Sequence, residues 1–376
     1  MDTPLTLHSA PEPFTGRASF VGRASPVRVT ISSVATAVPP HKIEQDAFLE
    51  MALDVAPEFR NYSPLFTNTG IANRYSVVPL EWMPERHGWL DRSAIFVEQA
   101  LALLETVARD CLAKADLTAT DLDALVVASS TGLAVPTLDA RLANRLGMKP
   151  TLERLPLFGL GCAAGVTGLA RAVQLARAKP GSKVLFLCVE LCTINGRIQD
   201  HRMVNFISAA LFGDGAAGVL VTSDHGESDD GGHGHGTILA SGEHQWNGTE
   251  DLMGWSIEED GFGVIVSPEI PRVARDRMRP VIDAFLAGNG LGHGDIAGFV
   301  LHPGGRKVLE SAETALNVPR DALQHSWDVL RDFGNMSSPT VLFVLERTLA
   351  QKPKGKYILV ALGPGFTISL LLVDFN

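Results

Sequence analysis

Apolar positions along this chain fall into two recurring rhythms, and the switches between them predict its elements. From Val27 the stretch VRVTISSVATAVP has the β-branched content of a strand, which Pro39 and Pro40 end. Helical spacing then runs through SAIFVEQALALLETVARDCLAKA, with Ser93 as the natural cap. A short apolar run over residues 123–129 predicts a buried strand, and a helix follows Pro136. LERLPLFGLG leads into a helix over residues 163–178, while KVLFLCVE and GAAGVLVTS read as further buried strands.

The tract SDHGESDDGGHGHG (residues 223–236) breaks the pattern, and its Gly, Asp and His content predicts a solvated loop rather than a metal site. Beyond it the alternation resumes with TILASGEHQW, a helix over residues 271–287, the strand IAGFVLHP, a helix over Arg306–Leu316 and the closing hairpin KYILVALGPGFTISLLLVD. The order of elements resembles that of the first half. It predicts a duplicated α/β unit, with two mostly parallel sheets and helices on their faces. The expected boundaries are a flexible extension over residues 1–26, a first half over 27–225 and a second over 226–376.

With 376 residues, 45% hydrophobic and 20% charged, the chain can bury a sizeable core. Its net charge of -10 disfavours a nucleic-acid partner. No apolar run is long enough to span a bilayer, and the N-terminus lacks the pattern of a leader. Cys111, Cys162, Cys188 and Cys192 show neither zinc-ligand spacing nor the density of a disulfide scaffold, which predicts a reducing, cytoplasmic setting.

One cysteine stands apart. Cys162 lies where PLFGLG turns into the helical AAGVTGLARAVQLARA, so the positive end of a helix dipole would favour its thiolate. The small neighbours Gly161, Ala163, Ala164 and Gly165 leave room for a thioester, although they also suit close helix packing. Cys111 and Cys188 read as core. His302 follows the apolar run GFVL and precedes Pro-Gly-Gly, which puts an imidazole at the carboxyl end of a strand, where α/β sheets bind ligands. Asn335 falls on the loop before a helix that Pro339 opens, with Ser338 as its expected cap.

Together the segments GCAAG at Cys162, LFGDGAAG from Leu211, HPGGRKVLE from His302, GNMSSPTVLFVLE from Gly334 and GPGFT from Gly363 resemble the type III polyketide synthases, the chalcone synthase-like branch of the thiolase superfamily. The resemblance implies a thiolase-like duplicated αβαβα fold and a homodimer. It implies that Cys162 carries the acyl chain and that His302 and Asn335 are its catalytic partners. Acyl-CoA and malonyl-CoA would be the substrates, with no cofactor and no metal. HPGG in place of HQAN argues for free coenzyme A thioesters over carrier-protein substrates.

By the same resemblance Phe212 and Val264 are gatekeepers, Val264 replacing a larger aromatic residue, and Val135 projects into the neighbouring subunit. Cys192 and Asn195 line the inner cavity, while Ser130, Glu190 and Ser337 form a hydrogen-bonded network able to direct ring closure. Arg60, Arg74 and Arg306, with Gly304 and Gly305, are the candidates for binding coenzyme A. Small cavity residues favour a long-chain fatty acyl starter and an alkylresorcinol or alkylpyrone product over a short or aromatic starter. A β-ketoacyl synthase III-like enzyme performing one condensation with a carrier protein, and a silent acyl-CoA-binding scaffold, are the competing readings.

Overall fold

The computed structural model describes residues 27–224 and 234–375. The expected extension over residues 1–26 and most of the Gly, Asp and His tract lie outside the described residues. β1 (Val29–Ala37) opens the first half, followed by the paired short strands β2 (His41–Glu44) and β3 (Asn73–Ser76) with α1 (Gln45–Val55) and α2 (Pro64–Thr67) between them. Then come α3 (Trp89–Lys114), β4 (Ala124–Ser129), α4 (Leu138–Leu146), β5 (Glu153–Phe158), α5 (Ala164–Ala178), β6 (Lys183–Leu191), α6 (Met203–Leu211) and β7 (Asp214–Ser223). The second half runs β8 (Gly236–Gln245), β9 (Met253–Glu258), β10 (Gly261–Val266), α7 (Ile270–Gly288) and β11 (Ile296–Leu301). It ends with α8 (Arg306–Leu316), α9 (Gln324–Phe333), α10 (Thr340–Ala350), β12 (Gly355–Gly363) and β13 (Thr367–Phe375).

Helix α3 begins one turn before the expected cap at Ser93. Tertiary contacts extend it: the Trp89 indole donates to the Glu258 carbonyl, and the Arg92 guanidinium reaches His87 and Ile194. Such anchors override the local cap signal.

The main strands form one nine-stranded sheet in the order β11-β12-β13-β8-β1-β7-β6-β4-β5. The duplication is visible in it, since β1, β7, β6 and β4 correspond to β8, β13, β12 and β11 running outward from a short β1/β8 junction. The expected mostly parallel sheets are not what forms. The ladders β8/β1, β1/β7, β7/β6, β8/β13 and β13/β12 are antiparallel, and only β4/β5, β4/β6 and β11/β12 run parallel. The tight 364–366 connection forces its two strands antiparallel, and helix periodicity elsewhere in the sequence does not reveal strand direction.

Helices α5 and α10 are buried between the two halves in a core shared with strands of both. Outer cores lie under α1 and α3 on one side and under α7, α8 and α9 on the other. The layering is therefore helix, sheet, helix, sheet, helix. The two central helices nearly touch at their N-termini: a Cβ on Gly165 would sit 2.3 Å from the Ser338 carbonyl oxygen. That approach brings the chain before α5 against the chain before α10. Among the described residues no helix is long and apolar enough to cross a membrane.

Candidate active site

Cys162 sits, buried, in a 3-10 turn (Gly161–Ala163) that leads into α5. Two close approaches fix this turn. Gly161 has φ +49° and would place a Cβ 2.7 Å from Pro364, and a Cβ on Gly363 would lie 2.6 Å from that of Ala163. Only glycines let the end of β12 reach the nucleophile turn.

From the other half, the Cys162 thiol donates to Ser337 Oγ at 3.5 Å. Ser337 holds a left-handed backbone (φ +58°), and its N–H donates to Asn335 Oδ1 at 2.8 Å. The Asn335 amide in turn donates to the Gly304 carbonyl at 3.1 Å. Its backbone is clamped to the segment around Phe212, because Asn335 N–H donates to Leu211 O and Gly213 N–H to Asn335 O. His302 continues the β11/β12 ladder by donating its N–H to Val360 O at 2.8 Å. Its imidazole is buried with neither ring nitrogen hydrogen-bonded, and the ring packs against Gly304. Cys162, Asn335, Ser337 and the His302–Gly304 segment thus converge.

Burial works against the expected thiolate. Burial pushes the Cys162 thiol up to about 11, with the Ser337 and Asn335 hydrogen bonds opposing and the Glu190 charge adding to the rise. Burial also pushes the His302 imidazole down to about 3. Burial thus favours the neutral form of both groups and opposes the helix dipole.

Glu190 lies fully buried beside them, and burial raises its carboxyl to about 7. Its network differs from the expected one. Oε2 accepts from Thr131 Oγ1 at 2.8 Å and from the Ser130 N–H at 2.9 Å, while Oε1 accepts from Ser338 Oγ at 2.9 Å. The Ser130 hydroxyl faces away and accepts from Gly161 N–H, and Ser337 belongs to Cys162. Ser338, expected as a helix cap, points inward instead and leaves the cap position to Pro339. Sequence spacing could not separate adjacent serines whose side chains face different partners.

A cavity of about 40 Å³ is lined by Cys192, Asn195, Phe212 and Val264 as expected, and also by Trp255 and Arg197, which sequence reasoning missed. Trp255 stands opposite Val264 in the β9/β10 ladder, so it restores bulk to that wall. Asn195 donates its amide to Thr131 O and so faces backbone. Val135 is 92% exposed, at the surface of its own chain.

Arg74 is no coenzyme A ligand. It is fully buried, stacks on Phe48, and donates to Gln45 and to the carbonyls of Ala209, Ala210 and Phe212 at the end of α6. Only a polar, positively charged fork could satisfy that helix end, which is why arginine sits there. Arg60 is exposed on a 3-10 turn (Pro57–Tyr62), and Arg306 is exposed at the start of α8 beside Gly305, paired with Glu310. Gly304 offers its carbonyl to Asn335.

A buried cysteine at a helix start, facing an asparagine and a histidine from a second, similar half, defines a thiolase-like condensing enzyme. The family models of chalcone and stilbene synthases match over residues 21–225 for the N-terminal domain and 239–375 for the C-terminal domain. A 1,3,6,8-tetrahydroxynaphthalene synthase of Streptomyces peucetius subsp. caesius is 37% identical over 351 residues, covering 92% of each chain. An α-pyrone synthesis polyketide synthase-like protein, Pks18, of Mycobacterium tuberculosis is 30% identical, covering 92% of this chain and 90% of its own. The crystal structure of 1,3,6,8-tetrahydroxynaphthalene synthase from Streptomyces coelicolor A3(2) superposes with a TM-score of 0.86 at 27% identity, over 92% of this chain and 99% of that one. The chain belongs to the type III polyketide synthases, a family of acyltransferases with a thiolase-like fold.

Proposed function

We propose that this protein extends an acyl thioester on Cys162 by repeated decarboxylative condensation with malonyl-CoA and closes the chain to a hydroxylated ring. The observation that carries the reading is the convergence of Cys162, Asn335 and His302 at the meeting point of the two halves. A starter acyl group passes from coenzyme A to Cys162 Sγ. The thiol proton moves to His302 and then to the departing coenzyme A thiolate, so charge balances. Bringing imidazole and thiol into contact offsets the desolvation that keeps both neutral at rest, because attraction between opposite charges is strong in a buried site.

Malonyl-CoA then loses carbon dioxide, and the electron pair of the broken bond forms an enolate. The Asn335 amide and the His302 ring nitrogen are the donors for its oxygen. The enolate carbon attacks the Cys162 thioester, Sγ leaves, and the lengthened coenzyme A thioester reloads onto Cys162. This chemistry requires neither metal nor redox cofactor.

A compact starter is the finer reading, supported by the Trp255 indole that stands opposite Val264 in the cavity lining. The tetrahydroxynaphthalene named for a relative likewise carries no alkyl tail. A long-chain starter giving an alkylresorcinol or alkylpyrone is the second reading, favoured by the small Val264 and Gly196 among the lining residues. A homodimer belongs to the proposal as well, supported by the outermost strand β5 and by exposed Leu133, Val135 and Phe158.

Incubation of the purified protein with malonyl-CoA and starters from acetyl- to stearoyl-CoA, read by mass spectrometry, tests the reading. Multiply extended products are expected. Turnover with malonyl-carrier protein but none with malonyl-CoA would replace it with the single-condensation enzyme.

A further inference from the structure

Arg197 lines both the cavity proposed to receive the acyl chain and a second, polar cavity of about 360 Å³. The Arg197 side chain is only 6% exposed and follows the turn (Thr193–Asn195) that forms one wall of the acyl cavity. Its guanidinium pairs with Glu258 and with Asp260, two of the three acids at the tip of the β9/β10 hairpin. That hairpin is the opposite wall, carrying Trp255 and Val264 into the acyl cavity.

The tip is held from further sides. Glu258 Oε1 accepts from Ser256 Oγ at 2.9 Å and from Arg202 at 3.3 Å, and the Trp89 indole donates to the Glu258 carbonyl at 3.0 Å. Arg92 lies directly under Gly261 at the start of β10 and donates to the carbonyls of Ile194 and Gly196, tying the same turn down. A buried arginine with two carboxylate partners prefers one geometry, because moving away strands charge in a desolvated place. The polar space beyond it offers an extended acyl chain room only after this contact parts.

We propose that Arg197 is a specificity-determining residue: its ion pairs with Glu258 and Asp260 latch the β9/β10 hairpin and close the outer end of the acyl cavity, which limits the chain built on Cys162. The inference rests on the polyketide synthase reading above. The latch sets length, while Cys162, His302 and Asn335 carry the reaction.

The test uses the full chain with malonyl-CoA and paired acetyl- and octanoyl-CoA starters, comparing wild type with Arg197→Gln, Arg197→Lys and the double variant Glu258→Gln/Asp260→Asn. The double variant keeps the arginine and alters only surface-accessible acids, so it reads the latch even if Arg197→Gln fails to fold. The expected result is a rise of about tenfold in the octanoyl to acetyl kcat/KM ratio for the double variant and for Arg197→Gln, with Arg197→Lys restoring the wild-type ratio. A ratio unchanged in the folded double variant would overturn the latch. Absence of any malonyl-dependent product from wild type would instead overturn the polyketide synthase reading, so the two failures are distinct.

Discussion

Trp255 and Val264 are cross-strand partners in the β9/β10 ladder, and both line the cavity of about 40 Å³. Bulk absent from one is supplied by the other. Trp255→Ala is therefore expected to widen the cavity and raise kcat/KM for medium-chain over acetyl starters by roughly tenfold. Trp255 is only half-buried, so unfolding free energy should fall by less than the ~3–5 kcal/mol typical of a core tryptophan. An unaltered starter profile would remove Trp255 from the gate.

The neutral resting pair can be read by alkylation. With the Cys162 thiol near 11 and His302 near 3, the thiolate fraction should grow with pH. The rate of inactivation by iodoacetamide is expected to rise about tenfold per pH unit above neutrality. A plateau beginning near pH 6 would show instead that a thiolate–imidazolium pair exists before substrate arrives. Cys162→Ala should abolish product formation.

Glu190 makes a separate prediction. Its folded pKa of about 7 lies above the ordinary 4.5, so the stability associated with its protonated form is complete below about 4.5 and is lost as pH rises through about 7. Glu190→Gln removes this penalty. Relative to wild type it should be neutral or weaker at acid pH and gain on the order of 3 kcal/mol by pH 8, measured by denaturant unfolding at both ends. Equal pH slopes in the two proteins would mean the carboxylate is already ionised in the acid range.

Two arginines grouped together by sequence should behave oppositely. Arg74→Ala leaves the carbonyls of Ala209 and Phe212 without their donor, and that of Ala210 with only the Gln45 amide, and is expected to destabilise the fold by about 3–5 kcal/mol. Arg306→Ala, at an exposed i,i+4 pair, should leave the melting temperature within error and raise KM for malonyl-CoA a few-fold. Thermal unfolding beside steady-state kinetics separates the two effects.

Association is testable at the exposed apolar surface. Val135→Asp combined with Phe158→Asp should shift the mass measured by light scattering from dimer to monomer, since a charge at each exposed site opposes burial. A monomeric wild type at micromolar concentration would end the dimer proposal.

Much of the architecture was legible in the chain. The long amphipathic helix, the helices after Cys162 and after Pro339, and the closing hairpin all form where periodicity put them. Strand direction was not legible, because alternation specifies that a strand forms but not which neighbour it joins. Arg74 was misplaced for a related reason: a lone arginine in TGIANRY looks solvent-bound until α6 is seen ending on top of it.

By itself, the sequence singled out Cys162 before a helix, His302 after a strand and Asn335 before a second helix as candidates, because those placements are local features, fixed by neighbours a few positions away. Tertiary structure alone decided how deeply they are buried, and burial by distant segments favours the neutral thiol and imidazole. It also decided that Ser338 rather than Ser337 serves Glu190, and that Trp255 and Arg197 line the cavity. Those contacts join residues far apart in the chain, and desolvation and side-chain direction are properties of the packed molecule rather than of any segment of it.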